Sequence, residues 1–129
     1  PQFFKRWSPR SFKKVKIPEG VLASIFDAGR WAPSAYNEQP WLFLTSENDD
    51  EFEIFYNLLV KMNQAWAHNA SLLGFILGRK KFTLNNKDNP WFAFDCGAAW
   101  MSLALQSRKH GLYAHAMAGI KEEKDPTSN

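Results

Sequence analysis

Near its start the chain carries Arg6-Trp7-Ser8-Pro9-Arg10, two guanidinium groups four residues apart with a hydroxyl between them. Guanidinium forks bind phosphate oxygens through paired, charge-assisted N–H donors, so this segment could grip a phosphate. It could equally be a solvated basic arm. The second candidate is Ala32–Trp41 (APSAYNEQPW), where two prolines stiffen a turn offering Ser34, Asn37 and Gln39. Such a turn can hold the polar edge of a cofactor, or its Ser and Asn can simply bond their own backbone. Asn63, in Asn63-Gln64-Ala65-Trp66-Ala67, carries an amide that both donates and accepts. It could pair with a pyrimidine-type ring edge or merely cap a helix. Gly111–Gly119 (GLYAHAMAG) ends in Met117, Ala118 and Gly119, where small residues could leave N–H groups open to a ligand or mark a tight turn.

The groups that usually do acid–base or nucleophilic work are less promising. His68, His110 and His115 are scattered, and no Ser or Cys stands in a nucleophile context beside them. Three such His and one Cys make no zinc ligand set. Asp95 sits in an apolar stretch where a pairing or capping role is expected, and Cys96 reads as a small buried hydrophobe. No side chain is assigned as catalytic and no metal site is expected.

Several elements must position these segments. Residues 1–16 read as a basic, aromatic arm. Pro18 and Glu19 suit a first helical turn, with Val21, Leu22, Ile25 and Phe26 at helical spacing, Gly29 at the end and Pro33 as a stop. Trp41–Thr45 (WLFLT) reads as a buried strand. Asp49 or Asp50 is placed to cap a helix carrying Phe52, Phe55, Leu58 and Leu59. Leu72–Leu77 (LLGFIL) reads as a second buried strand and Asn85–Pro90 as a loop. Phe92–Leu105 is apolar on nearly every side, which predicts a helix buried all round, with Gly97, Ala98 and Ala99 letting another backbone approach. Gly111 is placed to end it, and Leu112–His115 reads as a third strand. Helices alternating with buried strands give an α/β or α+β sandwich.

The chain has 129 residues, 45% of them hydrophobic and 16% aromatic, enough to build a core and to argue against disorder. Six Trp and eleven Phe exceed what so small a domain can hide, so some rings belong against a planar ligand or a subunit interface. A net charge of +3, concentrated only at Lys13–Lys16 and Arg79–Lys81, suits anionic small molecules better than nucleic acid. One cysteine excludes an internal disulfide, no apolar run is long enough to span a membrane, and no secretory signal is visible, so a cytoplasmic setting is the default. Pro1 is not an initiator residue, so the true start is expected to lie upstream. Lys121–Asn129 (KEEKDPTSN) is polar, and the fold is expected to be incomplete at this end.

Taken in order, the four candidate segments resemble the FMN-dependent nitroreductase family over about Phe4 to Ile120. APSAYNEQPW is similar to A-P-S-x-x-N-x-Q-P-W in every fixed position, and Arg6, Ser8 and Arg10 match R-x-S-x-R. Asn63 matches an Asn facing the flavin pyrimidine ring, and the long apolar helix leads into G-L and a Met-x-Gly turn. The resemblance implies a homodimeric α+β fold (α/β sandwich), a central mainly antiparallel sheet flanked by helices, with two FMN sites at the subunit interface. It also implies that Arg6 and Ser8, with Trp7 between them, meet the phosphate, and that Arg10 approaches the N1/O2 side of the ring. Pro33, Ser34, Ala35, Asn37 and Gln39 would reach the partner's FMN, and the Ala118 or Gly119 amide, after Met117, would point at flavin N5. NAD(P)H would be the reductant and a nitroaromatic, quinone or related small molecule the acceptor, exchanged by a ping-pong mechanism. Trp66 departs from relatives with Lys three residues after the Asn, and Met117-Ala118-Gly119-Ile120-Lys121 departs from Met-x-Gly-Phe-Asp. The chain reads as one domain, residues 1–129, without the family's C-terminal strand, basic phosphate contact and arm.

Competing classes are a flavin-binding dimeric module without turnover, a fold relative acting in dehalogenation or flavin degradation, and a basic nucleic-acid binder. The last would use Arg6, Arg10 and Lys13–Lys16 on phosphates, but the aromatic residues lie in apolar runs rather than among the basic clusters.

Overall fold

Proline has no N–H to lose at a helix start, and helix α2 (Glu19–Arg30) begins directly after Pro18 in the computed structural model, which describes residues 1–122. Pro18 is the cap rather than the first helical residue: its ψ of 143° is extended, and its carbonyl accepts from the Val21 and Leu22 amides. The first arm residues are not all irregular, because Gln2–Lys5 close one helical turn, α1. Strand β1 (Trp41–Thr45) pairs antiparallel with β2 (Gly74–Gly78), Trp41 opposite Gly78 and Thr45 opposite Gly74. Strand β2 starts two residues later than the apolar run suggested, since Leu73 bonds Ser46 beyond the end of the ladder.

Between the strands lie α3 (Asp49–Asn57) and α4 (Lys61–Ala67). Asn48, not Asp49 or Asp50, caps α3: with φ at −149° its Oδ1 accepts the Glu51 amide at 2.9 Å. The longest helix, α5 (Phe92–Lys109), runs four residues past its expected end. Gly111, at φ +77°, lets the Leu112 and Gly111 amides fold back onto the Ser107 and Arg108 carbonyls, which satisfies the last turn.

Helices flank a small antiparallel sheet, so the α+β expectation holds. On one face Phe43 meets Phe26 of α2 at 5.5 Å; on the other Phe75 meets Phe55 of α3 at 5.0 Å. Phe52, Leu59, Ala67, Ala70 and Leu73 form a buried cluster under α3 and α4. Helix α5 packs chiefly on α2 and also touches both strands and α1. At Gly29 of α2 an added Cβ would lie 3.1 Å from the Phe43 ring and 3.4 Å from the Ala99 carbonyl of α5.

Neither strand is buried as expected, with Leu42 56% and Leu77 45% exposed, and two further expectations fail. Leu112–His115 is extended but joins no strand among the described residues. It lines one side of an apolar cavity of about 1070 Å³ that Phe43, Phe75, Trp100 and Leu103 also line, and pairing needs backbones about 5 Å apart. Nor is α5 buried all round, because Phe94 is 81% exposed. Of the polar tail Lys121–Asn129, residues 123–129 lie outside the described residues.

The segment after β2 is more ordered than a loop by composition. Lys81 bridges Asp88, and Asn86 adopts a φ of +57°. Glu38 ties it to the APSAYNEQPW turn, accepting from the Thr83 hydroxyl, the Thr83 amide at 2.7 Å and the Arg79 guanidinium at 3.3 Å. The Thr83 hydroxyl first, then the Thr83 amide and Arg79, hold the Glu38 carboxyl below its ordinary 4.5 against the opposing effect of burial.

Two predictions follow from this packing. Gly29→Ala should destabilise the fold by about 1–3 kcal/mol through crowding, whereas Gly20→Ala, with open space around it, should be neutral or stabilise by up to about 1 kcal/mol; denaturant midpoints distinguish them. Because the folded Glu38 carboxyl is more acidic than the unfolded one, its contribution is complete above pH 4.5 and is lost as pH falls through the lower folded value. The Thr83 amide resonance should therefore titrate with a midpoint below 4.5 in the native chain and not in Glu38→Gln.

Candidate functional site

Three of the four segments meet. The Asn63 Nδ2 donates to the Gly119 carbonyl at 3.2 Å across 56 residues of sequence, and the Val60 amide donates to the same carbonyl at 3.1 Å. Gly119 must be glycine at this approach: a Cβ would lie 2.7 Å from Val60 Cγ2 and 2.8 Å from Asn63 Nδ2. Asn63 is not a cap, since Val60 holds that place and Asn63 lies inside α4. The Ala118 and Gly119 amides donate to no acceptor among the described residues. Met117 packs on the cluster below them.

The N-terminal arm reaches the same region. The His115 Nδ1 contacts the Pro9 carbonyl at 2.9 Å, and Trp66 lies between Phe12 (6.1 Å, stacked) and His115 (4.4 Å, tilted). Trp7 meets Tyr113 edge-on at 5.7 Å, and Tyr113 in turn carries the Arg108 guanidinium 3.7 Å over its ring. Arg6 lies 6.0 Å over Trp100 of α5. Neither Arg6 nor Arg10 has an ion-pair partner among the described residues, and Ser8 and Arg10 are exposed on either side of buried Pro9.

The fourth segment stands apart. Its Ala35 amide donates to the Asp95 carboxylate at 3.0 Å, so buried Asp95 takes the pairing role expected of it. Ser34 behaves as the bland alternative proposed, accepting the Gln39 amide at 3.0 Å to close its own turn. Tyr36, Asn37 and Gln39 all hold positive φ, between 52° and 53°, which aims their side chains outward, and all three are exposed. Pro33, Ser34, Ala35 and Tyr36 line a cleft of about 500 Å³ with Trp91, Phe94, Asp95 and Ala98. Phe92, Ala93, Cys96 and Gly97, on the other side of the same helical turns, line the large cavity. No lining residue is shared, so α5 is a wall between the turn and the cavity.

Sequence reasoning missed Glu38, which secures the turn, and the Phe12–Trp66–His115 stack. Glu38 occupies a position with no motif. The stack joins residues more than 100 positions apart, and nothing in their spacing announces it. Cys96 is only partly buried; desolvation, with the Asp95 charge adding to it, pushes its thiol up. Among the described residues no group of acids, His and Cys could hold a metal ion, and no helix is long and apolar enough to cross a membrane.

Known proteins share this fold. A solved oxidoreductase containing FMN is 43% identical, with a TM-score of 0.86 over 93% of this chain and 63% of its own. An enone reductase of a gut-bacterial fatty acid saturation pathway, CLA-ER, is 25% identical, with a TM-score of 0.81 over 92% of this chain and 74% of its own. A curated NADH dehydrogenase from Thermus thermophilus is 51% identical over 37 residues, 29% of this chain and 18% of the relative. The chain thus spans less than two thirds of both the FMN-containing oxidoreductase and the NADH dehydrogenase. The sequence pattern of the nitroreductase family matches residues 4–70, more than half of the chain, and the chain belongs to the nitroreductase family.

Proposed function

We propose that this chain forms part of an FMN-dependent oxidoreductase that uses NAD(P)H to reduce nitroaromatics, quinones or related acceptors by a ping-pong mechanism. The carrying observation is the convergence of the Arg6–Arg10 arm, Asn63 and the Ala118–Gly119 amides from three distant parts of the sequence. Their chemistry fits FMN. Two guanidinium groups without carboxylate partners and an exposed hydroxyl suit a phosphate. Two amides without acceptors and an Asn carbonyl that receives no bond suit the polar edge of a flavin ring.

FMN, when bound, would supply the redox chemistry by accepting hydride from NAD(P)H and passing it to the acceptor. Arg6 and Ser8 would hold its phosphate. Arg10 would place positive charge on the N1/O2 side, favouring the reduced, anionic ring. Asn63 would accept from the pyrimidine edge, and the Ala118 or Gly119 amide would face N5. This scheme requires an open stacking slot and no acid or base side chain.

The turn carrying Pro33, Ser34, Ala35, Asn37 and Gln39 is separated from these groups by α5, which supports its use on the cofactor of a second copy. Phe94, Trp31 and Tyr36, between 76% and 88% exposed, give such a homodimer apolar surface to bury. The single thiol suits a cytoplasmic setting. The enone reductase relative adds carbonyl-conjugated alkenes to the acceptors worth assaying.

The purified chain should bind FMN, and NAD(P)H should bleach the flavin absorbance. Colour without bleaching would favour a binding module, and failure to take up FMN would overturn the flavin assignment. Arg10→Ala should weaken FMN binding by about tenfold or more, while Lys14→Ala, whose ammonium lies 4.1 Å over the Phe52 ring, should leave it near native. Equal effects in a fluorescence titration would contradict the role given to Arg10.

A further inference from the structure

Ser8 and Arg10 sit on an arm that has no regular structure from Arg6 to Pro18. Something must fix its course, because a grip on a cofactor is tight only if the gripping groups are ordered before the ligand arrives. The hydrogen bonds and ring contacts that do this are few. Ser71 accepts the Val15 amide at 2.9 Å and donates to the Lys13 carbonyl at 3.4 Å, which settles the far end of the arm. Phe12 stacks on Trp66. Between Ser8 and Arg10 themselves the contact is that of His115 with the Pro9 carbonyl, 2.9 Å long and 106 residues distant in sequence.

A carbonyl can only accept, so His115 Nδ1 must carry the proton whether the ring is neutral or charged. The ring is further held against Trp66 at 4.4 Å and a 34° tilt, which limits the direction in which Nδ1 points. Pro9 is itself buried, whereas the residues on either side are exposed. Pinning the Pro9 carbonyl therefore sets the orientation of both neighbouring side chains while leaving them free to meet a ligand.

We infer that His115 is a positioning residue for the cofactor-binding arm: its Nδ1–H anchors the Pro9 carbonyl and thereby pre-orders Ser8 for the phosphate and Arg10 for the ring. The inference rests on the FMN assignment and extends it, because it concerns a residue that would touch neither phosphate nor ring. It also explains why a histidine, which the proposed redox chemistry does not employ, lies so near the site.

The test compares His115→Ala, His115→Asn and His115→Gln in the full chain, with His68→Ala as a control from the exposed end of α4. The Asn amide nitrogen falls where Nδ1 lies, and the Gln amide nitrogen falls where Nε2 lies. Each variant is first checked for native melting, then titrated with FMN and with riboflavin, which lacks the phosphate. Hydrogen exchange of the peptide covering residues 6–15 is followed without flavin. The expected result is about a tenfold loss of FMN affinity in the Ala and Gln variants, a smaller loss for riboflavin, which keeps the Arg10 contact but has no phosphate for Ser8, and no change in the His68→Ala control. His115→Asn should recover most of the loss, and arm exchange should quicken only in the Ala and Gln variants. Native FMN affinity in His115→Ala, equal losses for FMN and riboflavin, or no rescue by Asn would each overturn the inference. A native chain that binds no FMN would remove the assignment beneath it, and unchanged arm exchange in His115→Ala would show separately that the pin itself is absent.

Discussion

Helix α5 is the constraint on which the rest of the structure depends. Its first two turns present Phe92, Ala93, Cys96 and Gly97 to the interior cavity and Trp91, Phe94, Asp95 and Ala98 to the outer cleft. A surface helix normally spends one face on water, but this one has apolar residues on both. It packs on α2 where Gly29, which brings no side chain, faces Phe43 and the Ala99 carbonyl. The arm, the turn and Gly111–Gly119 all take their positions from this helix, at Trp100, at Asp95 and at its closed C-terminal end.

The APSAYNEQPW turn shows what holding a binding segment in a fixed form requires. Positive φ at Tyr36, Asn37 and Gln39 costs about 1 kcal/mol or more at each residue that is not glycine. That cost is offset by bonds that converge on the turn from three directions: Ser34 from within, Asp95 from α5, and Glu38 outward to Thr83 and Arg79. Tyr36 adds an edge-on contact with Phe82 at 5.7 Å. The result is a rigid, outward-facing loop whose exposed amides are available to another molecule.

The arm follows a different rule. It has no ladder or helix to stiffen it beyond its first turn, so separate contacts with side chains from α4 and its following loop, and from the segment after α5, do the work. Aromatic stacking supplies area and the histidine supplies direction. A positively charged, exposed segment is thereby ordered without hiding its charges, which a phosphate site needs.

Much of this was readable from the residues. Strand Trp41–Thr45, the start of α2 after Pro18 and the Gly111 terminus of α5 follow from local rules, because proline, glycine and apolar runs act over a few residues. The four candidate segments, and their resemblance to a flavin family, were likewise local. The cap of α3 was misplaced by one residue, since three acids and an Asn in a row are nearly equivalent until one of them adopts the extended φ. The third strand failed for a non-local reason: extended sequence makes a strand only where another backbone lies beside it, and the cavity lies there instead. What the sequence determined by itself was which residues could bind a flavin phosphate and ring. Which of them share one site, and that the turn lies behind α5 from the others, was decided by helix packing at Gly29 and by hydrogen bonds spanning 56 to 106 residues, contacts that leave no periodic trace in the chain.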